Sequence, residues 1–169
     1  YVNFVYEPFR NADGIISGIL AVAIDVTTQL TASKKIEERE QKFRLLADSM
    51  PQLIWTGDAK GNLNYFNQSV YNFSGLREEE VNKEGGWLKI VHPDEREENI
   101  KQWLESVRNG TDFKFEHRFR KYDGEYRWQL SRAKPQLDEN GNIQMWVGTS
   151  TDIQDQKVFA ESLETEVRE

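Results

Sequence analysis

The sequence contains no cysteine. Disulfides, thiolate metal sites, cysteine nucleophiles and a cysteinyl–flavin adduct are excluded together. It also lacks an excess of basic residues: 22 Lys and Arg stand against 29 Asp and Glu, a formal net charge of −7. Binding nucleic acid by counterion release needs a basic face, so no nucleic-acid partner is expected. The longest apolar run, residues 14–24, is interrupted at Ser17 and Gly18 and stopped by Asp25. It is too short to cross a bilayer and follows no basic-then-apolar leader, so no direct membrane contact is expected. A reducing cytoplasmic setting suits this composition. Histidine is scarce, with only His92 and His117. One falls in a loop and the other in an alternating strand, without metal-ligand spacing, so no metal is expected. No phosphate-binding glycine loop, catalytic serine motif or carboxylate pair can be picked out, and no catalytic residue is assigned.

Aromatic residues are plentiful, at 12% of 169 residues, enough large rings to build a core despite 30% charged residues. The length suits one domain, or one domain plus a fragment of another. With Met50 the first methionine, the chain reads as a piece of something longer.

An ungapped shift of 127 residues lays Pro8 on Pro135, Gly14 on Gly141, Ile16 on Ile143, Asp25 on Asp152 and Gln29 on Gln156. Each copy reads strand, turn with Asn, Asp and Gly, apolar strand, Asp, helix. Residues 1–30 are therefore expected to be the last hairpin of a preceding domain. A charged helix follows over 31–50, where Ile36, Phe43 and Met50 repeat at seven with Leu46 between. That seam fits either a surface helix on its own domain or a short coiled coil between two chains. Pro51 ends it.

Residues 53–58 and 63–66 read as strands, 67–81 as short helical pieces, and 93–109 as the clearest helix, with Ile100, Trp103, Leu104 and Val107 as its apolar stripe. Three strands follow. Phe113, Phe115, His117 and Phe119 alternate with charged residues, and Asp123-Gly124 and Asp138–Asn142 supply the turns. From Ile153 the chain turns helical and acidic, with Phe159, Leu163 and Val167 four apart. The order predicts an α+β fold, complete within 44–156, with 157–169 starting a further helix.

At Asp58, Gly61-Asn62, Tyr65 and Asn67, then Asn72-Phe73-Ser74-Gly75, Trp87 and Val91-His92-Pro93-Asp94, the sequence resembles the PAS family with its C-terminal PAC segment. Glu116-His117-Arg118, Asp123-Gly124, Trp128 and Gly148–Ile153 continue the match, and Ile24-Asp25-Val26 resembles the tail of a previous repeat. The branch is similar to tandem PAS repeats of bacterial sensor histidine kinases. The resemblance implies a five-stranded antiparallel sheet with helices on one face, flanking signalling helices and a sensory or dimerising role. The phosphoacceptor and ATP-binding motifs of a kinase are missing, so this chain is expected to have no enzyme activity while its parent is a two-component kinase. The 93–109 helix has no histidine to hold a haem iron as some PAS haem sensors do.

The resulting expectation is a relay module joined to an adjacent PAS domain and a downstream transmitter, and dimeric through Ile36, Phe43, Leu46 and Met50. The resemblance implies signal coupling at Asp25, Asp152 and Ile153 and a cation near Arg44; from position alone Asp152 caps the exit helix, with Asp155 three residues on, and a plain N-cap without a signalling role is the alternative. Gln154 stands where the family's motif has Thr. No cofactor is predicted, though an unknown small molecule fits an alternative receptor reading. Its pocket would be lined by Ile54, Phe66, Phe73, Trp87, Ile90, Phe115, His117, Leu130, Met145 and Val147. A small α+β enzyme is a further alternative, with His117 its one candidate acid or base.

Overall fold

A computed structural model describes residues 1–168, with side chains through Glu166, so the expected apolar position Val167 lies beyond the described side chains. The chain divides into two compact units, Tyr1–Leu45 and a second beginning at Leu46.

The first unit is an antiparallel hairpin of β1 (Val2–Arg10) and β2 (Ile16–Asp25), followed by the start of α1 (Thr27–Ser49). Asn11 builds its turn: its Oδ1 accepts from the Asp13 and Ile15 amides at 3.1 and 3.0 Å, while Gly14 supplies a φ of 78°. Helix α1 begins earlier than the charged stretch suggested because Asp25 Oδ1 accepts from the Thr27 amide at 2.9 Å and starts the first turn.

In the second unit, β3 (Leu53–Asp58), β4 (Leu63–Phe66), β5 (Phe113–Arg120), β6 (Tyr126–Leu137) and β7 (Ile143–Asp152) form one antiparallel sheet in the order β4-β3-β7-β6-β5. Between β4 and β5 come α2 (Gln68–Ser74), α3 (Glu78–Val81), two 3₁₀ turns and α4 (Arg96–Asn109); α5 (Gln154–Arg168) follows β7. Val70 of α2, Val81 of α3 and Trp103 of α4 join Leu53, Trp55, Phe113 and Trp146 of the sheet in one core. Trp103 sits at its centre. Its ring meets Trp55, Phe113 and Trp146 edge-on at 5.4, 5.2 and 5.0 Å, and its Nε1 donates to Gly61 O at 2.9 Å.

The buried stripe of α4 is Asn99, Trp103 and Ser106, whereas Leu104, expected inside, is half exposed. The helix is rotated toward its polar residues because Asn99 has a buried partner, described below. The last turn of α1 is fastened to the sheet by Asn67, which is fully buried: Nδ2 donates to Ala47 O at 2.8 Å and Gln52 O at 3.0 Å, and Oδ1 accepts from the Ile54 amide at 2.9 Å.

The two hairpins pair alike at the 127-residue shift. Val2 faces Asp25 as Gln129 faces Asp152, Pro8 faces Ile19 as Pro135 faces Trp146, and the register slips between Phe9 and Arg10 as between Gln136 and Leu137. Asp138 Oδ1 takes the Asn140 and Asn142 amides, the same turn that Asn11 builds.

Candidate functional site

Between the sheet and α2–α4 lies a cavity of about 50 Å³, walled mainly by apolar side chains including Leu53, Phe66, Val70 and Phe73. That volume holds a few waters or one molecule of a few heavy atoms. Trp55 closes it from β3. Its register partner is Gly148, where any Cβ would overlap the indole, so the bare backbone lets the ring lie flat against β7.

Four polar side chains cross this wall in a line. Asn99 Nδ2 meets His117 Nδ1 at 2.6 Å, His117 Nε2 meets Ser131 Oγ at 2.7 Å, and Ser131 Oγ meets Ser150 Oγ at 2.6 Å. Trp55 Nε1 donates to Ser150 Oγ at 3.3 Å. All five residues are buried and line the cavity. Burial penalises the charged imidazole and pushes the His117 pKa from 6.5 down to about 3, so the ring is neutral and carries one proton. His117 is a satisfied core histidine. His92 starts the second 3₁₀ turn, accepting the Asp94 amide at 3.2 Å. Among the described residues, no cluster of His, Asp or Glu is placed to hold a metal, and no helix is long and apolar enough to cross a membrane.

Of the pocket residues expected from sequence, Phe66, Phe73, Trp87, Ile90 and His117 line the cavity. Ile54, Leu130, Met145 and Val147 do not. Side chains alternate along a strand, and here Trp55, Ser131, Trp146, Gly148 and Ser150 take the inner face, which turns those four to the other side. Phe115 shares the inner face but packs edge-on against His117 at 5.3 Å, backing that ring instead of the void. Asn99, Ser131 and Ser150 were missed because apolarity was the criterion for a buried position.

A second constellation lies where β7 becomes α5. Asp152 Oδ1 accepts from the Gln154 amide at 2.9 Å, and Oδ2 accepts from Arg127 Nε at 2.6 Å. The cation on this carboxylate is therefore Arg127, which β6 delivers two residues before Gln129, the register partner of Asp152. Arg44, the cation expected nearby, makes an ion pair with Glu40, one helical turn away on α1. The Asp155 carboxylate stands 3.7 Å from Arg127. Partial burial works against the charged Asp152, but hydrogen bonds from Arg127 and the Gln154 amide, together with the Arg127 charge, hold its pKa below the ordinary value.

Gln154 closes the arrangement, its Oε1 accepting from the Trp128 amide at 3.0 Å. Buried Ile153 donates its amide to Trp128 O at 2.9 Å. One shift earlier, the Tyr1 amino group donates to Thr27 Oγ1 and the Val26 amide to Tyr1 O at 3.1 Å. Thr and Gln thus make the same contact at the third position of the motif. Lys157, over the Trp128 ring and paired with Glu116, starts α5 across the outer face. On α1, Ile36, Phe43 and Leu46 are exposed, as is Met50 one residue past its end.

Residues 63–150 match the family model described as PAS fold. Over 151 residues the chain is 33% identical to the uncharacterized protein y4lL of Sinorhizobium fredii, a match covering 89% of this chain and 18% of that protein. It is 29% identical over 173 residues to the peroxide stress-activated histidine kinase mak1 of Schizosaccharomyces pombe, covering 93% of this chain and 10% of the kinase. A solved PAS domain from Colwellia psychrerythraea is similar in fold, with a TM-score of 0.54 at 21% identity over 71% of this chain and 98% of that one. The chain spans less than a fifth of the length of these two curated relatives.

Proposed function

The chain belongs to the PAS fold family as a sensory module, and from that premise we propose that it relays a signal to α5 within a larger sensor histidine kinase. The observation that carries this reading is the Asp152 node. One carboxylate holds a strand cation, Arg127, and the first amide of α5, so a shift in the sheet changes the support of the helix. Asn67 fastens the last turn of α1 to the same sheet, giving an entry and an exit. Helices whose packing has discrete arrangements can carry such a change onward.

The matching register and matching Asp contacts support reading residues 1–30 as the closing hairpin of a preceding PAS repeat, with α1 as its exit helix. Its exposed seam then pairs with a second copy, making the relay a homodimer. A flavin or haem has no part in this reading. There is no cysteine for a flavin adduct, no histidine in α4, and too little room for either ring system. Visible absorbance of the natively purified protein would contradict that assignment.

Asp152→Ala in the full-length parent tests the relay. The fragment should still fold, since a lost cap costs about 0.5–2 kcal/mol, while regulated kinase activity in the parent should weaken. Unchanged regulation would reduce Asp152 to an ordinary cap.

A further inference from the structure

One rung of the inner sheet face joins the cavity wall to the exit node. His117 of β5, Gln129 of β6 and Asp152 of β7 stand directly opposite one another in register. Facing pairs bring their Cβ atoms to about 4.5–5.5 Å, well within the reach of a glutamine side chain. Gln129 is 1% exposed, yet its Nε2 has no acceptor among the described residues. A buried amide donor left without a partner is destabilising, and such a group calls for a reason. The carboxylate across the rung has room for one more donor. Among the described residues Asp152 Oδ2 accepts a single bond, from Arg127 Nε.

Arg127 in turn has a second carboxylate within reach. Its Nη2 lies 3.7 Å from Asp155, whose side chain is 98% exposed. Asp155 is the second residue of α5, whereas Asp152 is the last of β7.

Resting on the relay reading of this node, we propose that Gln129 is a positioning residue through which Asp152 exchanges partners. In the arrangement seen, Arg127 holds Asp152 and the Gln129 amide is unpaired. In the other, Arg127 moves to Asp155 and Gln129 Nε2 donates to Asp152 Oδ2. No proton is transferred, and each arrangement keeps one ion pair. The first has the better-sheltered ion pair but an orphaned donor. The second satisfies that donor and leaves Arg127 on an ion pair in water, where such pairs are weak. The two terms oppose each other, as a two-state element requires. The exchange carries the Arg127 anchor from the end of β7 into α5, so the helix is held at a different point. His117 shares the rung and bonds Ser131, the next inward residue of β6, so a change in the polar chain of the cavity wall reaches Gln129 directly.

The test is a double-mutant cycle in the whole chain, read by hydrogen exchange of the Gln154 amide, with Gln129→Met as an apolar replacement of similar shape. Gln129→Met alone should leave that exchange within about twofold, because it removes no bond present in the arrangement seen. Arg127→Met should raise it only about threefold, because Gln129 takes over the carboxylate. The double variant should exceed the product of the two by about tenfold or more, the worth of a hydrogen bond to a charged group. One proton of the ¹⁵N-labelled Gln129 side-chain amide should also move downfield on Arg127→Met. Should that variant fail to fold, Asp155→Ala removes only an exposed carboxylate. Relaxation dispersion of the Gln129 and Gln154 amides on the μs–ms scale is expected in the natural protein and should vanish in Asp155→Ala. A double variant equal to the product of the singles, Gln129 protons unmoved by Arg127→Met, or dispersion absent from the natural protein or indifferent to Asp155→Ala would overturn the proposal. The relay reading fails separately. Regulated kinase activity indifferent to Asp152→Ala removes the relay, while a multiplicative cycle beside weakened regulation removes only the exchange.

Discussion

Arg127 Nε meets Asp152 Oδ2 at 2.6 Å, joining the start of β6 to the end of β7 at the point where the sheet hands over to α5. The same carboxylate takes the Gln154 amide, and Gln154 returns a bond to the Trp128 amide. The exit helix is thus tied to β6 twice, once through a charge and once through a neutral amide.

Gln154→Ala removes the second tie and leaves the Trp128 amide without its partner. The expected loss is about 1 kcal/mol, seen as a lower urea midpoint and faster exchange of the Trp128 amide. Gln154→Thr should recover part of it, since Thr27 holds the equivalent position in the first hairpin. Equal effects of Ala and Thr would show that the third position is indifferent to side-chain type.

His117 should make stability fall with acid. The unfolded chain takes up a proton near pH 6.5, while the folded one resists until about 3. Stability is therefore full above pH 6.5 and declines by at most about 1.4 kcal/mol per pH unit as pH drops toward 3. Urea midpoints at pH 7 and pH 5 should differ more for the natural protein than for His117→Gln, which does not titrate. Identical pH slopes would place the imidazole in water.

Gly148→Ala should cost about 1–3 kcal/mol, because the added methyl overlaps the Trp55 ring and forces it off β7. The change should also appear in near-UV circular dichroism, which reports on the Trp cluster. An unchanged melting temperature would mean that the ring has another resting place.

Ile36→Glu with Phe43→Glu should abolish the homodimer proposed above, leaving a monomer by sedimentation, since both positions belong to an exposed apolar seam on α1. A natural chain that already sediments as a monomer would remove the seam from the account.

The architecture was legible where periodicity carries it. Phe113, His117 and Phe119 announced the inner face of β5, and the shift of 127 residues exposed a hairpin whose register the structure repeats. On β6 and β7 the same logic pointed the wrong way. Leu130, Met145 and Val147 are apolar there and were expected inside, yet Ser131, Gly148 and Ser150 face inward beside Trp146. Those small or hydroxylic residues make room for Trp55 and continue the chain from His117, reasons that lie on other strands and leave no local signal. Asn99 was hidden for the same cause, its partner being on β5. Asp152 could be singled out from its place at a strand–helix junction. Its partner Arg127 followed only from the antiparallel register.

The most direct test of the relay is hydrogen exchange of the α5 amides in the natural protein, Asp152→Asn and Asp152→Ala. Asn can still accept the Gln154 amide but holds no charge for Arg127, whereas Ala does neither. The account predicts that exchange in the first turn of α5 accelerates from Asp to Asn to Ala, about tenfold or more in all, while the β3 and β7 amides keep their protection. Uniform protection of α5 across the three proteins would contradict it.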